Sequence, residues 1–134
     1  MNRKPFLSLT LALVIVVGAA TAYAHHSVAA LYDFNKTVKV EGKLISFSFR
    51  SPHSFIIVEG KDDKGVTQRW DVAWNSAREL AANGIDRSAF KPGDVVVVQG
   101  NPGRKAGEHI IRMVHFLRPA DGLTWGNRPG ETFQ

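Results

Sequence analysis

The chain has 134 residues, a formal net charge of +5 with neutral histidines, and no cysteine. This length suits one ordinary domain, and the absence of thiols excludes disulfides, thiolate metal ligands and a lipidated cysteine. The basic side chains are scattered without a run of five or six, so the composition gives little indication of nucleic-acid binding.

Residues 1–24 are predicted to be a cleaved signal peptide. Two basic residues open the segment, residues 6–20 form an uncharged apolar run, and Ala22-x-Ala24 supplies the small residues that signal peptidase requires. The run has about 15 residues, fewer than the roughly 20 that span a bilayer. An uncleaved N-terminal helix is the alternative. Cleavage after Ala24 predicts a periplasmic or secreted product without a membrane span.

The new terminus would be the most specific indication of a chemical function in the chain. His25 would carry a free α-amino group beside its imidazole, with His26 directly behind it. An amine and an imidazole on one residue can chelate a transition metal. Residues 25–36 are interpreted as an N-terminal arm, which Leu31, Tyr32 and Phe34 would hold against the following domain.

Three strands are predicted after the arm. Residues 37–49 alternate between apolar and polar side chains, with Gly42 marking a bulge or bend. Residues 53–58 form the second strand and residues 66–74 the third. Between them, residues 62–65 form a turn that ends in glycine. The three strands form a meander.

After residue 74, the spacing of the apolar residues changes from that of a strand to that of a helix. Asn75 or Ser76 can cap a helix that ends near Gly84. Residues 95–100 are almost wholly apolar and predict a buried strand, and residues 108–117 predict the last one.

Three strands, a helix and two strands are the element order of an OB-fold. The predicted fold class is therefore all-β: a five-stranded OB-fold-like Greek-key barrel over residues 37–119, with one helix between strands 3 and 4. Residues 120–134 are expected to form a flexible C-terminal tail. A small open β-sandwich is the alternative, although the single helix favours the barrel.

With these elements placed, the chain resembles the domain of unknown function 6152 family of small exported bacterial proteins. The motifs that carry the resemblance are His25-His26-Ser27, Tyr32-Asp33, Val38-x-Val40-x-Gly42, Pro52-His53, and Lys91-Pro-Gly-Asp-x-Val-x-Val98 to Gly100-x-Pro102. Ser51 stands where the family more often has asparagine. The resemblance covers nearly all of the mature chain and implies an exported OB-like barrel. It implies no activity, because the family is uncharacterised.

The five histidines are the candidate metal ligands. His109 and His115 are six positions apart, so on a regular strand they would share a face about 20 Å apart and could not bind one ion together unless the strand bends sharply. The predicted site combines the His25 amine and imidazole with His26 or His53, and with one strand-five histidine such as His115. Nitrogen ligands without thiolate favour Cu(II), then Ni(II) or Zn(II). A structural role for each barrel histidine is the alternative.

Aromatic side chains on the first three strands are the candidate ligand face. Phe49, Trp70 and Trp74 lie on the strands that OB-folds commonly use for binding, together with Phe47 and Phe55. Exposed members could stack on a glycan, a peptide or a flat small molecule. A domain this small needs large apolar side chains for its own stability, which favours packing in the core for each of them.

Two functions follow from the sequence. The first is a periplasmic copper-binding module that uses the mature N-terminal histidine and a barrel histidine. The second is a non-catalytic periplasmic binding or adaptor domain for a protein, glycan or small-molecule ligand, with structural histidines. No enzyme is predicted, because the chain has no Gly-x-Ser-x-Gly motif, phosphate-binding glycine loop or cysteine nucleophile.

Overall fold

A computed structural model of the chain describes residues 28–126. The chain divides into two compact units between Leu31 and Tyr32. Of the first unit only residues 28–31 are described, and they are helical. The predicted signal peptide, its cleavage site, His25 and His26 lie outside the described residues.

The second unit contains a closed five-stranded β-barrel, which confirms the all-β prediction. Its elements are β1 (Val38–Ser48), β2 (Phe55–Lys61), β3 (Thr67–Ala73), α1 (Ala77–Ala82), β4 (Val95–Pro102), β5 (Ile110–Arg118) and β6 (Leu123–Trp125). The strands pair in the order β3-β2-β1-β4-β5-β6, and a parallel pairing of β3 with β5 closes the first five into a barrel. The other pairings are antiparallel.

The long first strand joins the two halves of the barrel. Its first part pairs with β4 and its second part with β2, and Gly42 takes part in both pairings. A Cβ at Gly42 would lie 2.1 Å from the carbonyl oxygen of Glu59, so only glycine allows this approach. The bulge predicted at Gly42 lies instead at the register shift between Leu44 and Ser46.

The helix α1 begins where the sequence indicated. The Ser76 hydroxyl accepts a hydrogen bond from the Glu79 N–H, and the Glu79 carboxylate accepts one from the Ser76 N–H, which completes a capping box. Leu80 is the fully buried residue of this short helix. Within residues 28–126, no helix is long and apolar enough to cross a membrane.

A sixth strand lies within the segment that the sequence assigned to a flexible tail. β6 pairs with the end of β5, and the half-buried Trp125 packs on the core. Gly126 follows with φ +82°, and a Cβ there would lie 2.0 Å from the carbonyl oxygen of Val114. Residues 123–125 are therefore part of the folded unit. Three residues are too few for alternation to reveal a strand.

Candidate functional site

Tyr32 fixes the start of the second unit to one end of the barrel. It forms an antiparallel bridge with Gly103, and the N–H of Asp33 donates to the carbonyl oxygen of Pro102 over 2.8 Å. The Tyr32 side chain is 9% exposed. Burial raises the pKa of its hydroxyl, an effect that the nearby Arg112 guanidinium opposes. Tyr32 thus has the anchoring role that the sequence predicted for it.

His53 lies at the other end of the barrel. Tyr32 precedes the first residue of β1, whereas His53 precedes Phe55, which pairs with Ser48 at the last residue of β1. The eleven residues of β1 extend about 33 Å along the strand. His53 is exposed. Hydrogen bonds from Ser76 lower the pKa of the Glu79 carboxyl, and the electrostatic contribution of His53 to this shift is smaller.

The two strand-five histidines do not share a face, so that prediction is wrong. A register shift between β4 and β5 adds Val114 to β5, which reverses the alternation beyond it. His109, before the shift, meets the buried Trp70 edge to face at 4.9 Å between ring centroids. His115, after it, is half-buried opposite Gln99 of β4.

His109 also faces a carboxylate. Its Nε2 lies 4.0 Å from Oδ2 of Asp62, in the turn between β2 and β3. Hydrogen bonds lower the pKa of Asp62, above all the one from the Val66 N–H, with a smaller contribution from His109. No group of three histidine, aspartate or glutamate side chains that could hold a metal comes together within residues 28–126. His53 precedes β2 and His115 lies on β5. Metal ligation by His25, His26, His53 and His115 stays a prediction.

Trp70 and Trp74, two of the candidate ligand-face residues, pack in the core of the barrel. Their side chains are 8% and 3% exposed and belong to the core. Both alternate in phase with Val72, which faces the inside of the barrel. The Trp70 indole N–H donates to the carbonyl oxygen of Gly60 over 3.3 Å. A closed barrel has a single interior, and large aromatic side chains fill it.

Phe49 is half-buried at the mouth of the barrel. Its ring packs on Phe47 at 5.7 Å between centroids, and the Arg87 guanidinium lies 6.0 Å from the Phe49 ring centre. The outward side of β2 carries a second half-buried ring, Phe55, with Arg50 over it at 5.0 Å. Phe55 is among the aromatic residues that the sequence places on the candidate face, whereas Arg50 is not. The alternation of Phe55 with the buried Ile56 was the available signal for an outward ring.

The chain is a small β-barrel protein of a family without a known function. It matches the family model described as "Family of unknown function (DUF6152)" over residues 12–112, which is more than half of the chain. The chain therefore belongs to this family, as the order of its motifs indicated. The match includes His25, His26 and His53, and it ends before β6. No curated protein matches the chain.

Proposed function

We propose that this protein is exported to the periplasm, is cleaved after Ala24, and binds copper through its mature N-terminus. The observation that carries the proposal is the sequence Ala22-x-Ala24 followed directly by His25-His26. The role is binding rather than catalysis. The barrel, which we infer to be OB-fold-like from its order of three strands, a helix and two strands, is the carrier of the site.

The terminal dipeptide offers a set of nitrogen donors in adjacent positions. The α-amine and imidazole of His25 close one chelate ring, and the imidazole of His26 is a third nitrogen nearby in the chain. Cu(II) stands highest among divalent first-row metals for such ligands, and no thiolate competes because the chain lacks cysteine.

The proposal assigns the primary ligands to His25 and His26, because their nitrogen donors are adjacent in the chain. His53 is exposed on the barrel, and substituting it tests whether the barrel contributes a further ligand.

A Cu(II) competition titration with EPR on host-exported, cleaved protein tests the proposal. Mass spectrometry of the product checks that cleavage falls after Ala24. The key variant carries four extra residues, Gly-Ser-Gly-Ser, before His25. It keeps both imidazoles and moves the α-amine away from them. A four-residue insertion is chosen because a histidine at the second or third position of a chain itself chelates Cu(II) with the terminal amine.

We expect one-to-one binding with nitrogen hyperfine structure, weakened at least 100-fold in the extended variant and less than twofold in His53→Ala. Equal affinity of the native and extended proteins would overturn the proposal. A large loss of Cu(II) affinity in His53→Ala alone would place the copper site at His53 instead of at the mature N-terminus. An uncleaved product would also contradict the proposal, because His25 would then have no free α-amine.

A further inference from the structure

Two arginines lie over phenylalanine rings on the outside of the barrel. The guanidinium carbon of Arg50 lies 5.0 Å from the ring centre of Phe55, and that of Arg112 lies 5.5 Å from the ring centre of Phe34. All four residues are at least partly exposed. Within the described residues, neither arginine forms an ion pair with a carboxylate.

The strand register brings the two arginines to one face. Phe55 pairs with Ala73, and Ala73 pairs with Arg112, so these three side chains form one row across β2, β3 and β5. The neighbouring positions Ile56, Val72 and Ile111 are buried at 0–1% exposure, which places the row on the outer surface. Two strand spacings separate Phe55 from Arg112, about 10 Å.

The row is positive and partly apolar. Phe55, which lies under the Arg50 guanidinium, and Ala73 are half-buried, and Ile57 is half-buried in the adjacent row. Asp71 is the acidic residue of that adjacent row.

The next acidic residue on this side of the sheet is already flanked by positive charge. Glu59 lies between Lys43 and Arg69 in its own row. The surface therefore keeps an excess of positive charge at the Arg50 and Arg112 positions.

The ring contacts hold these arginine side chains in an orientation that suits binding to a carboxylate. A guanidinium held over an aromatic face keeps its N–H donors at its edge, where they can form a bidentate pair with a carboxylate. The ring also limits the motion of the side chain, so less conformational entropy is lost on binding.

We propose that the outer face of β2, β3 and β5 around Arg50, Phe55, Ala73 and Arg112, the Arg50–Arg112 face, binds an acidic segment of a partner protein. Two acidic residues three positions apart in a segment with polyproline II geometry lie on the same side of the segment about 9 Å apart, close to the separation across the row. Apolar side chains between them would cover Phe55 and Ala73. A small inorganic anion would engage one guanidinium and leave this apolar strip uncovered. This proposal does not depend on copper binding.

The test is an NMR titration of the 15N-labelled mature protein with the peptide Ac-Gly-Glu-Leu-Val-Glu-Gly-NH2. Its counterpart Ac-Gly-Gln-Leu-Val-Gln-Gly-NH2 lacks the charges, and inorganic phosphate serves as the small-anion probe. We expect the acidic peptide to shift the amide signals of Phe55, Ala73 and Arg112, and the glutamine peptide and phosphate to bind at least tenfold more weakly.

Matched variants separate this face from general charge attraction. The double variant Arg50→Gln/Arg112→Gln should weaken peptide binding at least tenfold. The control Lys64→Gln/Lys91→Gln removes the same charge from exposed positions in the turn between β2 and β3 and the turn before β4, and should change binding less than twofold. The single variants Arg50→Gln and Arg112→Gln, each expected to weaken binding at least threefold, serve if the double variant does not fold.

Three results would overturn the proposal. One is the absence of shifts on this face at millimolar acidic peptide. Another is equal weakening by the test and control pairs, because net charge alone would then explain binding. The third is phosphate binding as tight as peptide binding, which would make the face a small-anion site instead.

Discussion

The indole of Trp125 meets the buried Trp74 edge to face, with ring centroids 5.6 Å apart and ring planes at 80°. Trp74 also stacks on Phe116 at 5.1 Å and contacts Phe90 at 5.8 Å, so rings surround it on several sides. Its indole nitrogen is buried without a hydrogen-bond partner among residues 28–126. Trp125 therefore makes β6 a structural part of the barrel core.

Trp125→Ala should destabilise the protein by about 2 kcal/mol, less than a fully buried tryptophan because its side chain is half-buried. The Trp74 environment should become wetter, with red-shifted fluorescence. Urea unfolding followed by fluorescence measures both effects. Thr124→Ala, exposed on the same strand, is the control. An equal effect of the two substitutions would mean that β6 adds nothing to the core.

Gly42→Ala should cost about 3 kcal/mol or more, because the added methyl group would overlap the Glu59 backbone between two paired strands. Gly65→Ala is the matched control: its φ is +78° and no atom lies within 4 Å of the added Cβ. That change should cost about 1 kcal/mol through backbone strain alone. Thermal unfolding of both variants measures the difference. Similar costs would show that close approach at Gly42 is unimportant.

Ser76→Ala removes the hydroxyl that caps α1 and should cost about 1 kcal/mol. Ser46→Ala, at an exposed position on β1, is the control for loss of a serine hydroxyl and should be near neutral. Chemical denaturation of the two variants gives the comparison. If the two variants unfold at the same denaturant concentration, the capping box has no measurable role in stabilising the helix.

Stability should fall in acid through carboxylates such as Asp121. Hydrogen bonds from Arg118, the larger cause, and from the Leu123 N–H lower the pKa of Asp121 below its unfolded value. A lowered folded pKa stabilises the protein above the unfolded pKa of about 3.9, and this contribution disappears as pH falls through the folded pKa.

Asp121→Asn should therefore reduce stability at pH 7 and flatten its decline between pH 5 and pH 2. Urea unfolding across that range measures the slope. Asp63→Asn, an exposed change of the same chemical group, is the control. An unchanged slope in Asp121→Asn would contradict the assigned role of Arg118.

Copper binding at the mature terminus should weaken as pH falls from 8 to 5. The α-amine and imidazole must both lose their protons to bind the metal, and their ordinary pKa values are about 7.7–8.0 and 6.5. Competition titrations at several pH values would show the affinity decreasing and protons released on binding. An affinity independent of pH would exclude the amine and imidazole as ligands.

Local sequence signals predicted most of the barrel. Ser76 with Glu79 gave the start of the helix, and the apolar run around Val96 gave a buried strand. Alternation placed Trp70 and Trp74 on one face, but it does not tell which face is the interior. That distinction needs closure of the barrel, which comes from pairing between distant strands.

The arginine face depends on the same long-range pairing. Arg112 lies beside Ala73 only because β3 meets β5. The register shifts near Ile45 and Val114 decide which side chains face outward, and no local pattern in the sequence marked either position. The positions of His109 and His115 were mispredicted for this reason.

The number of paired residues between neighbouring strands differs around the barrel. β3 and β5 pair through three residues, from Asp71 to Ala73, whereas β2 and β3 pair through seven. Local opening of a protein begins where the fewest hydrogen bonds must break together. The β3–β5 pairing is therefore where the barrel should open first, and the amide protons that face it, those of Asp71, Ala73 and Ile111, should exchange with solvent before those of β2. Motion at this pairing would also change the distance between the two arginines, since Arg112 lies on one side of it and Arg50 on the other.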